Sequence, residues 1–454
     1  MKHISVAGMG KLGAPLAACF ASKGAPAIGI DNDLAKVDLI NQGLAPVYEP
    51  GLQELIKASG VRLAATHDYE SAVRNSEATF IVVPTPSDER GSFSLRFVLE
   101  AAERIGRALS QKTTYHLVVI TSTVMPGAME EEIKPLLEIS SGKECGRDFG
   151  LCYNPEFVAL GNVIRGILNP DFVLIGESDS LSGEILANFY KEVCENDPAI
   201  ARMNFINAEI TKLAVNTFIT TKITFANVLA RVCEKLSGAD VDVVTRALGK
   251  DSRIGQEYLK GAIGYGGPCF PRDNIAFDFL ARKLGIPETL AEATDRLNQL
   301  QITHLMELLK SKLPPGGVVG ILGLSYKPDT DVVEESQGLL LAQALQQAAI
   351  PVIAYDPAGT ENARKLLNGS VRFAGCAEEC VQESDVIVIT TPWKEFRRIE
   401  PKVLERAGSP RTIIDCWRLL DQSVYEKIAD YIPLGIGVAA AETVIKSGLE
   451  DPNL

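Results

Sequence analysis

The sequence predicts an α/β protein with two Rossmann-like, doubly wound domains joined by a long central helix. A strand, a glycine turn and a helix follow one another at the N-terminus, and the same order returns after a Pro-Pro-Gly-Gly run at 314–317. Between them, a stretch of about 30 residues lacks proline and glycine and repeats apolar residues at helical spacing. We therefore divide the chain into segments 1–200, 201–310 and 311–454.

The N-terminal glycine turn has the spacing of a nucleotide-binding turn. A buried strand precedes Gly8, Gly10 and Gly13, which form G-x-G-x-x-G, and a helix follows. The first two glycines permit a tight turn close to a pyrophosphate, and the third lets helix and strand pack closely. Lys11 and Leu12 complete this turn and join the glycines as candidate cofactor-binding residues. A βαβ unit that binds no nucleotide is the alternative for this pattern alone.

The second strand of this domain, "PAIGID", ends in Asp31. A carboxylate at that place bonds the ribose 2′-hydroxyl of a dinucleotide. No arginine follows closely in the sequence to hold a 2′-phosphate, so the pattern favours NAD over NADP.

Further apolar strands end in polar loops. "ATFIVVPTPSD" brings Thr85 to the end of one strand, "YHLVVITSTVMPG" brings Thr123 to the end of the next, and "FGLCYNPEF" ends near Glu156. Ligands of open parallel sheets gather at the carboxyl ends of strands. Thr85 and Thr123 are therefore candidates to line a site and to bind the cofactor, although capping hydroxyls in loops would explain either threonine alone.

The central segment places polar groups on an apolar helix. Lys212 and Asn216 lie four residues apart in "AEITKLAVNTF" and so share one face of the helix. A lysine in these surroundings is costly unless it is paired or functional. A solvated stripe on the helix is the alternative, and such a helix is also a common dimer spine.

One cysteine lies in a compact glycine loop, "GAIGYGGPCFPRD", with Asp273 four residues after Cys269. Gly264, Gly266 and Gly267 precede it. Taken alone, a cysteine beside glycines is more often a buried core residue than a nucleophile.

Composition excludes several classes of protein. The net charge of −13 argues against nucleic acid or an anionic membrane as the main partner. No unbroken apolar run of roughly 18 residues predicts a membrane span. Nine irregularly spaced cysteines are typical of free thiols in a reducing cytoplasm. We expect no metal site, since the tightest pair, Cys376 and Cys380, has no further cysteine or histidine nearby.

Several motifs in a fixed order resemble the nucleotide-sugar 6-dehydrogenases, the UDP-glucose and GDP-mannose dehydrogenase group. The motifs are the glycine turn, "YEPGL", "VVPTP", "STVMPG", "NPEF", "EITKLAVNTF", "DSRIG", "GYGGPCFPRD" and "GLSYKPDTD". The resemblance covers essentially the whole chain. It implies an N-terminal NAD-binding domain, a central helical dimerisation segment that holds the cysteine loop, and a C-terminal nucleotide-sugar-binding domain.

The resemblance implies oxidation of C6 of the sugar of UDP-glucose, from alcohol to carboxylate, with two NAD. Another UDP-hexose or GDP-mannose is the alternative substrate. Cys269 matches the nucleophile, since a thiolate gives a thiohemiacetal and then a thioester that water hydrolyses. Asp273 matches a base or water-positioning group, and Lys212 a group that stabilises an oxyanion. Glu156 is a candidate acid or base.

Further roles follow from the same resemblance. Thr123 orders the hydrolytic water, and Asn216 supports Lys212 or holds the sugar. Lys327 contacts the diphosphate or sugar, and Arg253 reaches the substrate of the adjacent subunit, so a homodimer or higher homo-oligomer is implied. The remaining implied substrate-binding residues are Tyr258, Gly264, Gly266 and Gly267.

Three motifs depart from the family pattern. Leu160 stands where a second glutamate often follows "PEF", and "KPDTDVVEES" has Val332 for Asp and Glu334 for Arg. The late Asp-Gly-Arg is "DCWRLLD", in which Arg418 comes one place late. Two alternative functions remain: a single-step 3-hydroxyacid dehydrogenase, which gives Cys269 no task, and a nucleotide-sugar-binding protein without catalysis.

Overall fold

The computed structural model describes residues 1–287, 289–367, 369 and 371–437. The chain forms two compact units. The first comprises Met1–Phe218, Gly267–Asp295 and Lys327–Val332, and the second comprises Ile219–Gly266, Arg296–Tyr326 and the chain from Val333 onward.

The first unit is built on a sheet of eight strands in the order β3-β2-β1-β4-β5-β6-β7-β8. All neighbours are parallel except β6 and β7, which are antiparallel. The strands are β1 Ile4–Ala7, β2 Ala27–Ile30, β3 Leu63–Thr66, β4 Ala78–Ile81, β5 Leu117–Ile120, β6 Gly150–Tyr153, β7 Phe172–Glu177 and β8 Ala199–Met203. The order 3-2-1-4-5-6 of the first six strands is that of the Rossmann fold and confirms the predicted class.

Helices cover the faces of this sheet. They are α1 Gly13–Ser22, α2 Leu34–Asn41, α3 Leu52–Ser59, α4 Tyr69–Arg74, α5 Arg96–Ser110, α6 Lys134–Ser141, α7 Val163–Leu168 and α8 Ser180–Val193. Aromatic rings fill the layer between helices and sheet, and the ring of Phe20 packs on those of Phe80, Phe189 and Tyr190. The predicted strands at the N-terminus and at residues 27, 78, 117 and 150 are all present.

The predicted central helix is α9, which runs over Phe205–Glu234. It contributes its residues up to Phe218 to the first unit and the others to the second. By length and composition α9 could also cross a membrane. That property is weak evidence for a span, because a core helix of a soluble protein has it too. The remaining helices are α10 Val241–Leu248, α11 Phe270–Lys283, α12 Leu290–Lys312, α13 Gln337–Gln347, α14 Thr360–Leu366, α15 Ala377–Gln382 and α16 Gln422–Tyr425.

The second unit carries a six-stranded, fully parallel sheet in the order β11-β10-β9-β12-β13-β14. Its strands are β9 Val319–Leu322, β10 Val352–Tyr355, β11 Val371–Phe373, β12 Val386–Ile389, β13 Thr412–Asp415 and β14 Asp430–Pro433. The sheet confirms the second α/β unit that the sequence predicts after residue 317.

Candidate active site

Of the three glycines in the turn after β1, only the second has room for a side chain. A Cβ on Gly8, whose φ is +99°, would lie 2.1 Å from the carbonyl oxygen of Val82, and one on Gly13 would lie 1.8 Å from that of Gly8. A Cβ on Gly10 would meet nothing within 4 Å. The chain itself therefore requires the first and third glycines, and the open space over the second fits the approach of a dinucleotide pyrophosphate.

The carboxylate of Asp31, one residue after β2, is held in place by the backbone. Its two oxygens accept hydrogen bonds from the N–H groups of Met9, at 2.7 Å, and Asp33, at 2.9 Å. The Lys36 ammonium lies 3.7 Å from the same carboxylate. This anchored position suits a ribose-binding carboxylate and fits NAD.

The two other predicted residues of the turn have partners in the protein. The Nζ of Lys11 donates to Asp331 at 2.6 Å, and this ion pair ties the turn to segment Lys327–Val332. Leu12 packs against the apolar core of the first unit.

Cys269 is exposed and occupies the N-cap position of α11, with Pro271 in the first turn. The carbonyl oxygen of Cys269 accepts the N–H of Asp273 at 2.8 Å, which fixes both residues in one helical turn. A helix N-terminus stabilises negative charge, so the position suits a thiolate. The exposure of Cys269 removes the interpretation as a buried core residue.

Lys212 of α9 points from a buried position toward the loop after β6. Its Nζ donates to the carbonyl oxygen of Glu156 at 2.7 Å and lies 4.6 Å from the centre of the Phe157 ring. Burial lowers the pKa of Lys212, whereas the charges of Asp273 and Cys269 raise it. The lysine therefore lies within electrostatic reach of the cysteine and the aspartate.

Asp273 is fully buried and its two oxygens are bonded from different sides. Asn216 donates to one oxygen through Nδ2 at 2.6 Å. Arg272 donates to the other through Nε at 3.2 Å and through its terminal nitrogen Nη2 at 3.1 Å. The Arg272 guanidinium also lies 4.7 Å from the centre of the Phe93 ring and 3.5 Å from the carbonyl oxygen of Thr85. The carboxylate of Asp273 is thereby held between the side chains of Asn216 and Arg272.

Glu156, which follows β6, is half-buried, and its carboxyl group faces the hydroxyl of Tyr190 at 3.2 Å. Burial raises the pKa of Glu156 to about 7, although Tyr190 and Lys212 act in the opposite direction. A carboxyl group with a pKa near neutrality can both accept and release a proton during a reaction.

Glu209 of α9 anchors the loop that contains Thr123, which is itself half-buried after β5. The carboxylate of Glu209 accepts the N–H groups of Gly127, at 2.8 Å, and Met129, at 2.9 Å. The loop "STVMPG" is therefore fastened to the helix that carries Lys212.

Lys327 belongs to the first unit although most of its neighbours in sequence do not. Burial lowers the pKa of Lys327, and the charges of Glu49 and Asp329 raise it. Glu49, from "YEPGL", accepts the N–H groups of Gly161 at 2.7 Å and Val163 at 2.8 Å. The motif "YEPGL" therefore supports the loop after "NPEF" and the segment that carries Lys327.

The other predicted substrate-binding residues lie in the second unit, except Gly267 in the first. Arg253 is exposed and forms a two-point ion pair with Asp251, at 3.0 and 2.7 Å. Tyr258 is also exposed and has a positive φ of 60°.

The cysteine loop needs two of its glycines for its own packing. A Cβ on Gly264 would lie 2.5 Å from the side-chain oxygen of Asn298, and one on Gly266 would lie 2.0 Å from the carbonyl oxygen of Glu335. Approach to the sugar diphosphate was the reason expected from the sequence. Contacts within the second unit are sufficient to explain these two glycines.

The departures from the family pattern have structural counterparts. Leu160 packs against the core of the first unit, and Glu334 is exposed. Arg418 pairs with Asp242 through two nitrogens at 2.8 Å and donates to the carbonyl oxygens of Leu434 and Gly261. Its guanidinium is thus engaged within the second unit.

Sequence reasoning missed four residues that shape the site: Arg272, Tyr190, Glu49 and Glu209. Three of them had a local signal: Arg272 stands beside Asp273 in "CFPRD", and Glu49 and Glu209 belong to the motifs "YEPGL" and "EITKLAVNTF". Within the described residues, no group of three or more histidines, cysteines or carboxylates could hold a metal ion.

Known proteins resemble this chain over nearly its full length. Three models of the UDP-glucose/GDP-mannose dehydrogenase family match: the NAD-binding domain over residues 2–194, the central domain over 206–300 and the UDP-binding domain over 320–422. A UDP-glucose 6-dehydrogenase of Haloferax volcanii is 36% identical, with 92% of this chain and 97% of the relative covered. A GDP-mannose 6-dehydrogenase of Pseudomonas putida is 33% identical, with 87% and 92% covered.

A solved structure shows the same similarity in three dimensions. It is that of a UDP-glucose dehydrogenase from the hyperthermophilic archaeon Pyrobaculum islandicum, which is 32% identical, covers 97% of this chain and 98% of its own, and has a TM-score of 0.86.

Proposed function

The chain belongs to the UDP-glucose/GDP-mannose dehydrogenase family, and we propose that it oxidises C6 of UDP-glucose to the carboxylate with two NAD, through a thioester on Cys269. The observation that carries this proposal is the grouping of Cys269, Lys212, Asp273 and Glu156 at one site of the first unit. Its balance is R–CH2OH + 2 NAD⁺ + H2O → R–COO⁻ + 2 NADH + 3 H⁺.

The glycine turn and Asp31 would hold NAD, which would supply the hydride acceptor for each of the two oxidations at the sugar C6. In the first oxidation the sugar C6 gives up a hydride and its hydroxyl releases a proton to solvent, which leaves the aldehyde. Lys212 stabilises the negative charge on the oxygen. An ammonium has three donors, and the carbonyl oxygen of Glu156 uses only one of them.

The thiolate of Cys269 then forms a bond to the aldehyde carbon, and the oxygen of the thiohemiacetal again faces the charge of Lys212. Loss of the second hydride gives the thioester. A water molecule adds to the thioester carbon, the carbon–sulfur bond breaks, and the thiolate and the carboxylate product result.

We assign the proton transfers of hydrolysis to Glu156 rather than to Asp273. Both oxygens of Asp273 already accept hydrogen bonds from Asn216 and Arg272, so neither is available to a water molecule. Burial raises the pKa of Glu156 to about 7, and the residue is only half-buried, so its carboxylate can take a proton from the water. Asp273 then acts as a hydrogen-bond acceptor that orients Asn216 and Arg272.

A homodimer is part of the proposal. In the second unit, Phe225, Val228, Val232 and Leu236 leave 38–53% of their surfaces exposed along one side of α9 and its end. Such a stripe is suited to burial against a second copy. Nine free cysteines are typical of a reducing compartment, so we place the activity in the cytoplasm.

GDP-mannose is the second candidate substrate, because the GDP-mannose 6-dehydrogenase of Pseudomonas putida has similar identity to this chain. Membership of the family sets aside the 3-hydroxyacid dehydrogenase alternative.

The test is the amount of NADH formed per mole of limiting sugar, with UDP-glucose, UDP-N-acetylhexosamines and GDP-mannose compared. We expect two NADH per UDP-glucose for the native enzyme and no acid from Cys269→Ser. Cys376→Ser is the matched control, since Cys376 is also exposed but lies in the second unit. One NADH per sugar would contradict the thioester, and none with any sugar would leave a binding protein without catalysis.

A further inference from the structure

Among the described side chains, the carboxyl group of Glu156 has one hydrogen-bonding neighbour, the hydroxyl of Tyr190. The same hydroxyl also contacts the buried amide of Asn154. The hydroxyl of Tyr190 lies 2.6 Å from Oδ1 of Asn154 and 3.2 Å from Oε1 of Glu156. We propose that Asn154 and Tyr190 form a one-proton relay that sets the protonation state of Glu156, which makes both of them positioning residues for thioester hydrolysis. The hydrolytic part of this inference rests on the proposed function.

The orientation of the Asn154 amide is fixed. Its Nδ2 donates to the carbonyl oxygen of Leu174 at 2.9 Å, so Oδ1 must be the atom that faces Tyr190. A flipped amide would place two acceptors against each other at Leu174. The backbone N–H of Asn154 also donates to the carbonyl oxygen of Ile120 at 2.8 Å, which holds the residue at the end of the sheet.

The phenol of Tyr190 has one proton for two acceptors. The shorter contact assigns that proton to Asn154, so Glu156 in its protonated form can donate to the phenol oxygen. When Glu156 ionises, the phenol proton turns to the carboxylate, and Oδ1 of Asn154 loses its donor in a buried place. Because an unpaired buried acceptor is unfavourable, Asn154 opposes ionisation of Glu156.

The ring of Tyr190 is held in place by its neighbours, so the phenol oxygen stays beside both acceptors. Tyr190 is 2% exposed, and its ring centre lies 6.4 Å from that of Phe20 and 6.1 Å from that of Phe189. Rotation of the O–H bond is therefore the available movement, and it needs no rearrangement of the ring.

Few other titratable groups face Glu156. Lys212 of α9 favours its carboxylate. Cys19 of α1 and Cys194 after α8 also feel the charge of Glu156, and burial raises the pKa of Cys19 to about 12 and that of Cys194 to about 11. Both thiols therefore remain neutral at physiological pH. The protonation state of Glu156 then depends on the relay and on Lys212.

Two substitutions should move the titration of Glu156 in opposite directions. Tyr190→Phe removes the one side-chain donor to the carboxylate, so its pKa should rise. Asn154→Val removes the acceptor that competes for the phenol proton, so the pKa should fall. We expect shifts of about one pH unit each. Because Asn154 acts only through the phenol, the double variant should titrate like Tyr190→Phe alone.

The first measurement is the titration of Glu156 by ¹³C NMR of the full-length protein labelled at glutamate, with Glu156→Gln to assign the signal. The second is the acid limb of kcat with UDP-glucose. Tyr115→Phe is the matched control, because its hydroxyl bonds Ser182 at 3.1 Å and lies away from Glu156. It should change neither profile.

Shifts of opposite sign, absent from the control, would support the relay even in a protein that makes no NADH, and the proposed function alone would then fail. Two NADH per sugar with unshifted titrations, or with shifts in the same direction, would overturn the relay and leave the proposed function intact. Tyr190→Phe keeps the ring, so an unchanged or lowered pKa in that variant is sufficient to reject the proposal if Asn154→Val does not fold.

Discussion

The first unit buries a lysine at each end of its sheet, and the two lysines differ in how many of their donors are used. At the amino end, Lys112 gives all three N–H groups to protein acceptors: the carbonyl oxygens of Val73 and Ser76 and Nδ1 of His116. At the carboxyl end, Lys212 has one hydrogen bond described, to the carbonyl oxygen of Glu156. A buried charge is therefore insufficient to mark an active site, and unused hydrogen-bonding capacity beside a nucleophile is the better sign.

The amino-end network is also closed on itself. His116 Nε2 lies 2.8 Å from the hydroxyl of Thr79, which lies 2.7 Å from that of Ser5, and Ser5 in turn bonds Ser76 at 3.0 Å. All these groups are buried. At the carboxyl end Cys269 is exposed and Glu156 is half-buried, so reactants can reach them.

The strongest test of this contrast is to remove each lysine. Lys212→Met should lower kcat by roughly 10²–10³-fold because the developing oxyanion loses its cation, with little loss of stability. Lys112→Met should leave kcat per folded molecule within about twofold but destabilise the protein by about 3 kcal/mol, since three acceptors lose their donor. Steady-state kinetics and urea unfolding of both variants measure the two effects. Equal losses of kcat in Lys212→Met and Lys112→Met would contradict the functional difference between the two lysines.

A second test separates the charge of Arg272 from its shape. Arg272→Met leaves one oxygen of the buried Asp273 without donors, and we expect kcat to fall by about tenfold to a hundredfold. Arg272→Lys keeps the charge but not the flat, two-point contact, so it should lie between the native enzyme and the Met variant. The KM for NAD, measured in parallel, should change little. A Lys variant as impaired as the Met variant would show that geometry matters more than charge.

The closed network should respond to pH through stability. Burial lowers the pKa of His116 to about 3, from about 6.5 in an unfolded chain. The unfolded state then binds more protons below pH 6.5, so stability should be complete above that pH and fall by a few kcal/mol toward pH 3. Urea unfolding from pH 7 to pH 4 measures the slope, which should be smaller in His116→Gln. Identical slopes of stability against pH in the native protein and in His116→Gln would contradict the role assigned to His116.

The smallest effect is expected at the ion pair between Lys11 and Asp331, whose side chains are 40% and 28% exposed. Solvent screens such a pair, so Asp331→Asn should change stability by less than about 1 kcal/mol. High salt should reduce even that difference. A larger, salt-independent loss would show that this contact resembles the buried sites rather than a surface pair.

The parts of the fold and site that depend on local sequence were predictable. The glycine turn, the strands that end near Thr85 and Thr123, and helix α9 with Lys212 and Asn216 on one face each have a pattern within a few residues. Strands β7 and β8 were not predicted. The apolar run "FVLIGE" of β7 was a local signal that was overlooked, whereas β8 is a partly exposed edge strand.

Long-range partners were beyond sequence reasoning. Tyr190 meets Glu156, and Glu209 meets the loop at Gly127, across 34 and 82 residues of chain. Nothing in the neighbourhood of either residue indicates its partner, since the contact exists only after the strands and helices have packed. The engagement of Arg418 by Asp242 is of the same kind.

The bond from Lys212 to Glu156 has a consequence for how this enzyme can evolve. The lysine holds a main-chain carbonyl, a group that every amino acid supplies, rather than the glutamate side chain. Position 156 can therefore be exchanged without releasing the ammonium. Under the proposed mechanism, the two oxidations and the final hydrolysis would then be separable under selection. A library at residue 156 is therefore a natural starting point for enzymes that would retain the acyl group on sulfur and pass it to acceptors other than water.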